Sequence, residues 1–186
     1  TWQSCPVHDL IVIELHTGTF SPDGTFSGIR QRLPYLRDLG ITAIELMPIA
    51  DFAGMRNWGY DGVALFAPSR AYGSPDDLRR LVNAAHEHGL SVILDVVYNH
   101  LGPEGAYLPQ FSDRFFTDRH QTPWGAAINL DGPGSEIVRR FIVDNACCWV
   151  REYHIDGLRL DATHALIVES PMAIVQEIAE AVGGEA

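Results

Sequence analysis

A chain of 186 residues is long enough for one domain with a sizeable core. Its formal net charge of −11, from 24 acidic against 13 basic residues, disfavours nucleic acid or an anionic membrane as partner, since both are held by clustered Lys and Arg. No apolar run reaches the length of a membrane span, and a neutral or cationic ligand suits the charge better.

The opening segment TWQSCPVHDL carries no signal-peptide pattern and reads as an internal start. Cys5 within it, together with the adjacent Cys147 and Cys148, gives an odd count with no CxxC spacing. That argues against a disulfide framework and against zinc. Cys147 and Cys148 read as small core or near-core groups, and a reducing compartment, the cytoplasm, is the expected location.

The first predicted strand is LIVIEL, Leu10 to Leu15, with Glu14 and His16 at its C-terminal end. Phe26, Ile29, Leu33 and Leu36 then follow helical spacing as far as a stop at Gly40, with Pro34 inside the stretch. The second strand is ITAIELMP, Ile41 to Pro48. A long connection from Ala50 to Ser74 follows, containing NWGYDG with Trp58, Tyr60 and Asp61. Aromatic faces stack on the C–H faces of sugar rings and carboxylates bind hydroxyls, so these three are candidate substrate-binding residues; core packing of the aromatics is the competing reading.

Ser74 as N-cap, Pro75 at the first position, Leu78, Leu81, Val82 and Ala85 on one face, and Gly89 as terminator predict the next helix. The third strand, SVILDVV (Ser91 to Val97), leads into Asp95, Asn99 and His100 at its end. The connection from Tyr98 to Gly134 is also long. Its segment TPWGAAINLDGPGS, Thr122 to Ser135, reads as an ordered loop around Trp124, a lid or a wall. An apolar stripe of Val138, Phe141, Ile142, Ala146, Trp149, Val150 and Tyr153 predicts a helix from Ser135 to Tyr153. The fourth strand, DGLRLD (Asp156 to Asp161), puts Arg159 and Asp161 on one side, with His164 just beyond. A last helix is expected after Ser170–Pro171, fading at Gly183.

The order βαβαβαβα implies a parallel sheet covered by helices. An open doubly wound sheet and a (β/α)8 TIM barrel compete. HTGTFSPDG does not fit the Gly-rich phosphate fingerprint of nucleotide-binding sheets. The helix-to-strand connections are short and the strand-to-helix connections long, which is how barrel enzymes build sites at strand C-termini. A complete barrel takes roughly 250 residues, so 1–186 reads as part of a catalytic barrel domain, its first four βα units, with strands 5–8 and flanking domains outside the chain. Its first and fourth strands would keep open edges.

Asp95, Asn99, His100, Arg159, Asp161 and His164 gather at the same end of two strands. A lone Arg–Asp pair would read as a structural ion pair; six polar residues at one rim read better as a site. An Arg beside an Asp favours the ionised carboxylate, which a glycosidase nucleophile requires.

DVVYNH and GLRLDATH resemble two signature segments of the α-amylase superfamily of glycoside hydrolases, in the expected order. Within it, IELHTGTF, NWGYDGVALFAPSRAYGSPDDLRRLV, ILDVVYNHLGPEGAYL, FFTDRHQTPWGAAINLDGPGS and REYHIDGLRLDATHAL resemble the maltooligosyltrehalose trehalohydrolase family, over nearly the whole stretch from Ile11 to Leu166. The resemblance implies a (β/α)8 barrel and retaining hydrolysis of the α-1,4 bond next to the terminal trehalose of a maltooligosyltrehalose, with no cofactor. It implies Asp161 as nucleophile and Arg159 as the group that keeps it ionised and oriented. It further implies His100 on hydroxyls of the cleaved sugar, Tyr60 stacked on that sugar, Asp95 as a structural polar anchor and His164 at the neighbouring sugar site. The family's acid/base Glu follows the fifth strand and a further Asp the seventh; the chain reaches neither, so the 186-residue polypeptide alone is expected to be inactive. Asn99 resembles a calcium-binding position of many amylases, but no carboxylate cluster accompanies it. Asp113 and Asp118 are ligands only in principle, and no metal is expected. A branching enzyme, or a debranching enzyme of isoamylase type, is the alternative. A non-catalytic α-glucan-binding protein is disfavoured by the presence of both Asp161 and Arg159.

Overall fold

The computed structural model describes residues 2–169 and 173–185. In chain order the elements are β1 (Val12–Leu15), α1 (Thr17–Phe20), α2 (Phe26–Arg30), α3 (Leu33–Asp38), β2 (Ala43–Leu46), β3 (Ala50–Asp51) and β4 (Ala64–Pro68). They continue with α4 (Pro75–Glu87), β5 (Ser91–Val96), α5 (Leu108–Phe111), β6 (Phe116–Thr122), β7 (Gly125–Ile128), α6 (Ser135–Tyr153), β8 (Gly157–Leu160) and α7 (Ile174–Gly183). The expected start of the last helix, Ser170–Pro171, lies outside the described residues. Among the described residues no helix is long and apolar enough to cross a membrane.

The four predicted strands are β1, β2, β5 and β8. They form one parallel sheet in that order, with each neighbour joined through a helical crossover. The architecture is that of four βα units of a (β/α)8 barrel. The central strands β2 and β5 are covered on both faces, which accounts for their near-continuous apolar sequence. One face holds Leu15, Ile44, Leu46, Val92 and Leu94 under the helices, against Phe26, Ile29, Leu33, Leu36, Leu78, Leu81, Val138, Ile142 and Trp149. By the two-residue alternation of strands, the opposite face carries Glu14, Glu45, Asp95 and Arg159; Glu14 pairs in register with Glu45, and Asp95 with Arg159.

The single helix expected from Phe26 to Leu36 is two helices, α2 and α3. Pro34 is the reason: it has no N–H to donate and its ring collides with the preceding turn, so it is tolerated only where a helix begins, and it lies in the first turn of α3. The apolar stripe survives the break, since Phe26, Ile29, Leu33 and Leu36 are all fully buried. Helix α4 starts with a reciprocal cap: the Ser74 hydroxyl accepts from the Asp77 N–H and the Asp77 carboxylate accepts from the Ser74 N–H.

Both long connections contain structure that periodicity does not indicate. β3 and β4 pair as a short antiparallel ribbon, and β6 and β7 form a hairpin whose turn carries Trp124. Its strands are mostly polar and half-exposed, so they lack a clean alternation. All three cysteines are free thiols; Cys147 is buried and Cys148 partly so.

Asn145 joins α6 to the floor of the long connections. Its Oδ1 accepts from Tyr98 Oη (2.8 Å) and Trp149 Nε1 (3.1 Å), and its Nδ2 donates to the Leu65 carbonyl (2.8 Å), all in the interior. Asn145→Ala would strand two buried donors and one acceptor. The expected loss of stability is about 2–4 kcal/mol, read by urea unfolding of the full-length protein.

Candidate active site

The strand register places the central charges. Asp95, next to last in β5, lies opposite Arg159 on β8, and the Asp161 N–H extends the ladder by donating to the Val96 carbonyl at 3.0 Å. Directly after Asp161 the backbone turns at Ala162 with φ 41°, a left-handed conformation uncommon for a residue with a Cβ. That turn ends the strand and starts the 3-10 turn Thr163–Ala165 carrying His164.

One guanidinium nitrogen serves two carboxylates. Arg159 Nη1 donates to both oxygens of Asp95 (3.0 and 2.9 Å) and to Asp161 Oδ1 (2.8 Å). The two acids differ in access: the Asp95 side chain is fully enclosed, whereas that of Asp161 is 16% exposed. Tyr60 Oη closes over Asp95 with a 3.0 Å hydrogen bond to Oδ2. Asn99 Nδ2 donates to Asp161 Oδ2 (3.2 Å) and to its carbonyl (3.0 Å), while Asn99 Oδ1 accepts from His100 Nδ1. His100 is buried and stacks on Trp124, with ring centroids 4.8 Å apart and planes 6° from parallel. Trp124 is therefore a wall of the site rather than a detached loop tip.

Burial sets the titration pattern. It pushes the Asp95 carboxyl up to about 6 against the opposing hydrogen bonds from Arg159 and Tyr60. It pushes the Tyr60 phenol up as well, aided by the Asp95 charge, and the His100 imidazole down. The Arg159 guanidinium is driven up, first by its hydrogen bond to Asp161.

Two glycines bring the NWGYDG loop to the network. Gly59 has φ 104°, and a Cβ there would lie 2.0 Å from the Pro48 carbonyl oxygen. A Cβ on Gly102 would lie 2.1 Å from the Asp61 carbonyl oxygen, and its N–H donates to the Gly62 carbonyl. The loop is thus pressed between the end of β2 and the segment after His100, which aims Tyr60 at Asp95. Asn57 ties it internally, accepting from Gly59 N (2.7 Å) and donating to Asp61 Oδ2 (2.8 Å). His16 Nε2 donates to the Asn57 carbonyl at 2.7 Å, so His16 fixes this loop.

Tyr60, Asp95, Asn99, His100, Arg159 and Asp161 are therefore one connected network. Trp58, Asp61 and His164 are exposed around it and make no contact with it in the hydrogen bonds and ion pairs of the described residues. Glu45 is a site residue that motif and periodicity do not single out. It sits with Glu14 and Asp95, carboxylate oxygens within 4.8 Å of one another, and burial followed by the Glu14 charge raises its carboxyl while Arg159 opposes. A lone acid inside the apolar run ITAIELMP, in register with Glu14, is the signal that points to it.

Among the described residues two groups could in principle face a cation: the acids Glu14, Glu45 and Asp95, and His120 with Asp131 and Glu169. In each, the central carboxylate is already engaged, Asp95 by Arg159 and Tyr60, and Asp131 by Arg119, His120 and the Glu169 N–H. Asp113 and Asp118 belong to neither group and are exposed.

The Asp95 titration carries a stability prediction. Its carboxyl moves from 3.8 to about 6 on folding. Between those values the native state holds a proton that the unfolded chain has released, so stability falls as pH rises through the window. Asp95→Asn removes the titration. Wild type is expected to lose up to about 3 kcal/mol relative to D95N between pH ~4 and pH ~7, by urea unfolding of the full-length protein. Parallel pH profiles would contradict it.

Chemically, the arrangement is an accessible carboxylate, oriented by an Arg and an Asn, beside a buried acid, a buried imidazole and two aromatic surfaces. Comparison with known proteins gives it a context. Residues 13–124 match the model of the alpha amylase catalytic domain. The chain is 53% identical to a malto-oligosyltrehalose trehalohydrolase of Saccharolobus solfataricus over 94% of its length and 31% of that protein. It is 48% identical to one of Deinococcus radiodurans over 96% of its length and 29% of that protein. A crystal structure described as a putative alpha amylase from Salmonella typhimurium superposes with a TM-score of 0.95 at 46% identity, covering 100% of this chain and 31% of the other. The chain thus spans about a third of the length of these relatives.

Proposed function

The chain belongs to the alpha-amylase catalytic-domain family, and on that premise we propose that it is the nucleophile-bearing part of a trehalohydrolase. The substrate is a maltooligosyltrehalose, and the bond cut is the α-1,4 linkage next to the terminal trehalose. The observation that carries this reading is the difference between the two acids that share Arg159: the Asp95 side chain is sealed, whereas that of Asp161 keeps 16% of its surface exposed.

In this mechanism the Asp161 carboxylate attacks the anomeric carbon as the C1–O bond breaks. The leaving oxygen takes a proton from an acid/base carboxyl supplied by further strands of the barrel. Water, deprotonated by that same carboxyl, then releases the glycosyl group with net retention. Arg159 and Asn99 hold the Asp161 carboxylate in one orientation during the attack. Tyr60 and Trp124 offer aromatic surface to the sugar, His100 a hydroxyl partner, and His164 lines the neighbouring sugar position. Asp95 anchors Arg159 and Tyr60. No cofactor takes part. Three free thiols support a reducing, cytoplasmic setting.

Incubation of the full-length enzyme with a maltooligosyltrehalose, with products followed by NMR, tests the assignment. Release of trehalose and a shorter maltodextrin is expected. Appearance of new α-1,6 linkages would instead identify a branching enzyme, and binding without turnover a glucan-binding protein.

A further inference from the structure

Asp156 precedes β8 at the end remote from Asp161 and is not among the six residues of the network. Its side chain is only 9% exposed, and its partners come from other elements. Oδ2 accepts from the Val92 N–H (2.7 Å) and from His86 Nε2 (2.8 Å), and Oδ1 accepts from Trp2 Nε1 (2.6 Å). The Asp156 N–H donates to the Val92 carbonyl at 2.9 Å. Backbone and side chain of one residue thus grip both polar backbone groups of one β5 residue. His86 projects from α4, and one face of its ring is covered by Trp2, 4.2 Å away and 8° from parallel.

This grip falls where the strand has little else to fix it. Among the described residues β8 pairs with β5 alone. Its first residue, Gly157, has no side chain to pack, and Leu158 and Leu160 are only partly buried, whereas Val92 and Leu94 of β5 are fully so. Register is weakly specified where no strand face is deeply buried. The consequence of a slip is large. Side chains alternate with a period of two, so a slip of one residue carries Arg159 and Asp161 to the helix-covered face; a slip of two keeps the face and draws Arg159 away from Asp95. Val92 and Asp156 each lie three residues before Asp95 and Arg159, so the grip at the base of the ladder sets the pairing at the site.

We infer that Asp156 is a positioning residue: it clamps β8 to β5 in the register that sets Arg159 against Asp95 and presents Asp161, with His86 and Trp2 holding its carboxylate. The inference rests on the reading of Asp161 as nucleophile given above. It is tested on the full-length enzyme with Asp156→Ala, Asp156→Glu and Asp156→Asn. Active sites are counted by labelling to completion with a slow-turnover fluorinated glycosyl substrate, and kcat is expressed per labelled site, so that loss of folded protein drops out. Asp156→Ala is expected to lower kcat per site about a hundredfold with KM changed by no more than about threefold, the size of effect that a misplacement of about 1 Å produces. Asp156→Glu keeps the charge but adds a methylene between backbone and carboxylate, and is expected to lose about tenfold. Asp156→Asn keeps an oxygen for the Val92 N–H and retains most of the wild-type value. Lower stability at unchanged kcat per site in Asp156→Ala would overturn the inference and leave Asp156 a structural anchor only. If Asp156→Ala does not fold, Asp156→Glu decides, and a wild-type kcat per site there would overturn it equally. Wild type that is not labelled at Asp161, or that cleaves no maltooligosyltrehalose, would overturn the glucan reading itself and the clamp's catalytic role with it.

Discussion

Asp161→Asn is expected to lower kcat of the full-length enzyme by about four orders of magnitude or more, with substrate Kd changed by no more than about threefold. The amide is isosteric with the carboxylate and keeps an oxygen for the Arg159 hydrogen bond; its NH2 gives up the 3.2 Å bond from Asn99 Nδ2, which retains its 3.0 Å bond to the residue-161 carbonyl, so the network loses one contact and keeps its frame. What the amide lacks is a nucleophilic anion. The sealed Asp95 cannot substitute, because its side chain is enclosed beneath Arg159 and Tyr60. Rate and binding therefore separate: isothermal titration with a maltooligosyltrehalose reports intact binding, and a trehalose assay reports lost turnover. Substantial residual turnover by D161N would remove Asp161 from the mechanism.

The second large effect is expected from Arg159→Met, which acts on activity and stability through different partners. Removing the guanidinium frees Asp161 from its 2.8 Å contact and also leaves the fully enclosed Asp95 carboxyl without its cation. The Arg159 side chain is 45% exposed, so water screens the pair and the expected cost lies below the about 3–5 kcal/mol of a fully buried pair, the remaining Asp95 charge being left uncompensated. Asp95 can escape part of that cost by taking up a proton, so the destabilisation is expected to be smaller at pH ~5 than at pH ~8. Adding Asp95→Asn removes the orphaned charge. The double variant is therefore expected to regain most of the stability at pH ~8 and none of the activity, a separation that a urea-unfolding and turnover cycle reads directly. If D95N restores no stability to R159M, Asp95 is not the group that Arg159 neutralises.

Much of the fold is legible in the sequence, for physical reasons that can be stated. A parallel strand covered on both faces has to be apolar almost throughout, so β2 and β5 stand out as continuous apolar runs. The period of two by itself puts Arg159 and Asp161 on one side of β8 and its continuation. What is not legible depends on contacts across long separations. The stacking of Trp124 on His100 joins the hairpin tip to the end of β5, and nothing local to either residue specifies it. The grip of His16 on the Asn57 carbonyl spans 41 residues and engages a backbone atom, which leaves no trace in residue type. The hairpin β6–β7 is half-exposed and polar, so its strands gain their stability from pairing rather than from an apolar face that a periodic pattern would reveal. Glu45 escapes notice because it sits within a run that otherwise satisfies the strand pattern; its meaning comes from register with Glu14 and proximity to Asp95.

The most direct test of the central claim is covalent trapping. The full-length enzyme is incubated with a fluorinated glycosyl substrate whose intermediate turns over slowly, and the protein is digested and mapped by mass spectrometry. A glycosyl adduct on the Asp161 carboxylate, absent from D161N, is expected. An adduct on a different carboxylate in an active preparation, or efficient hydrolysis with inversion of the anomeric configuration, would contradict it.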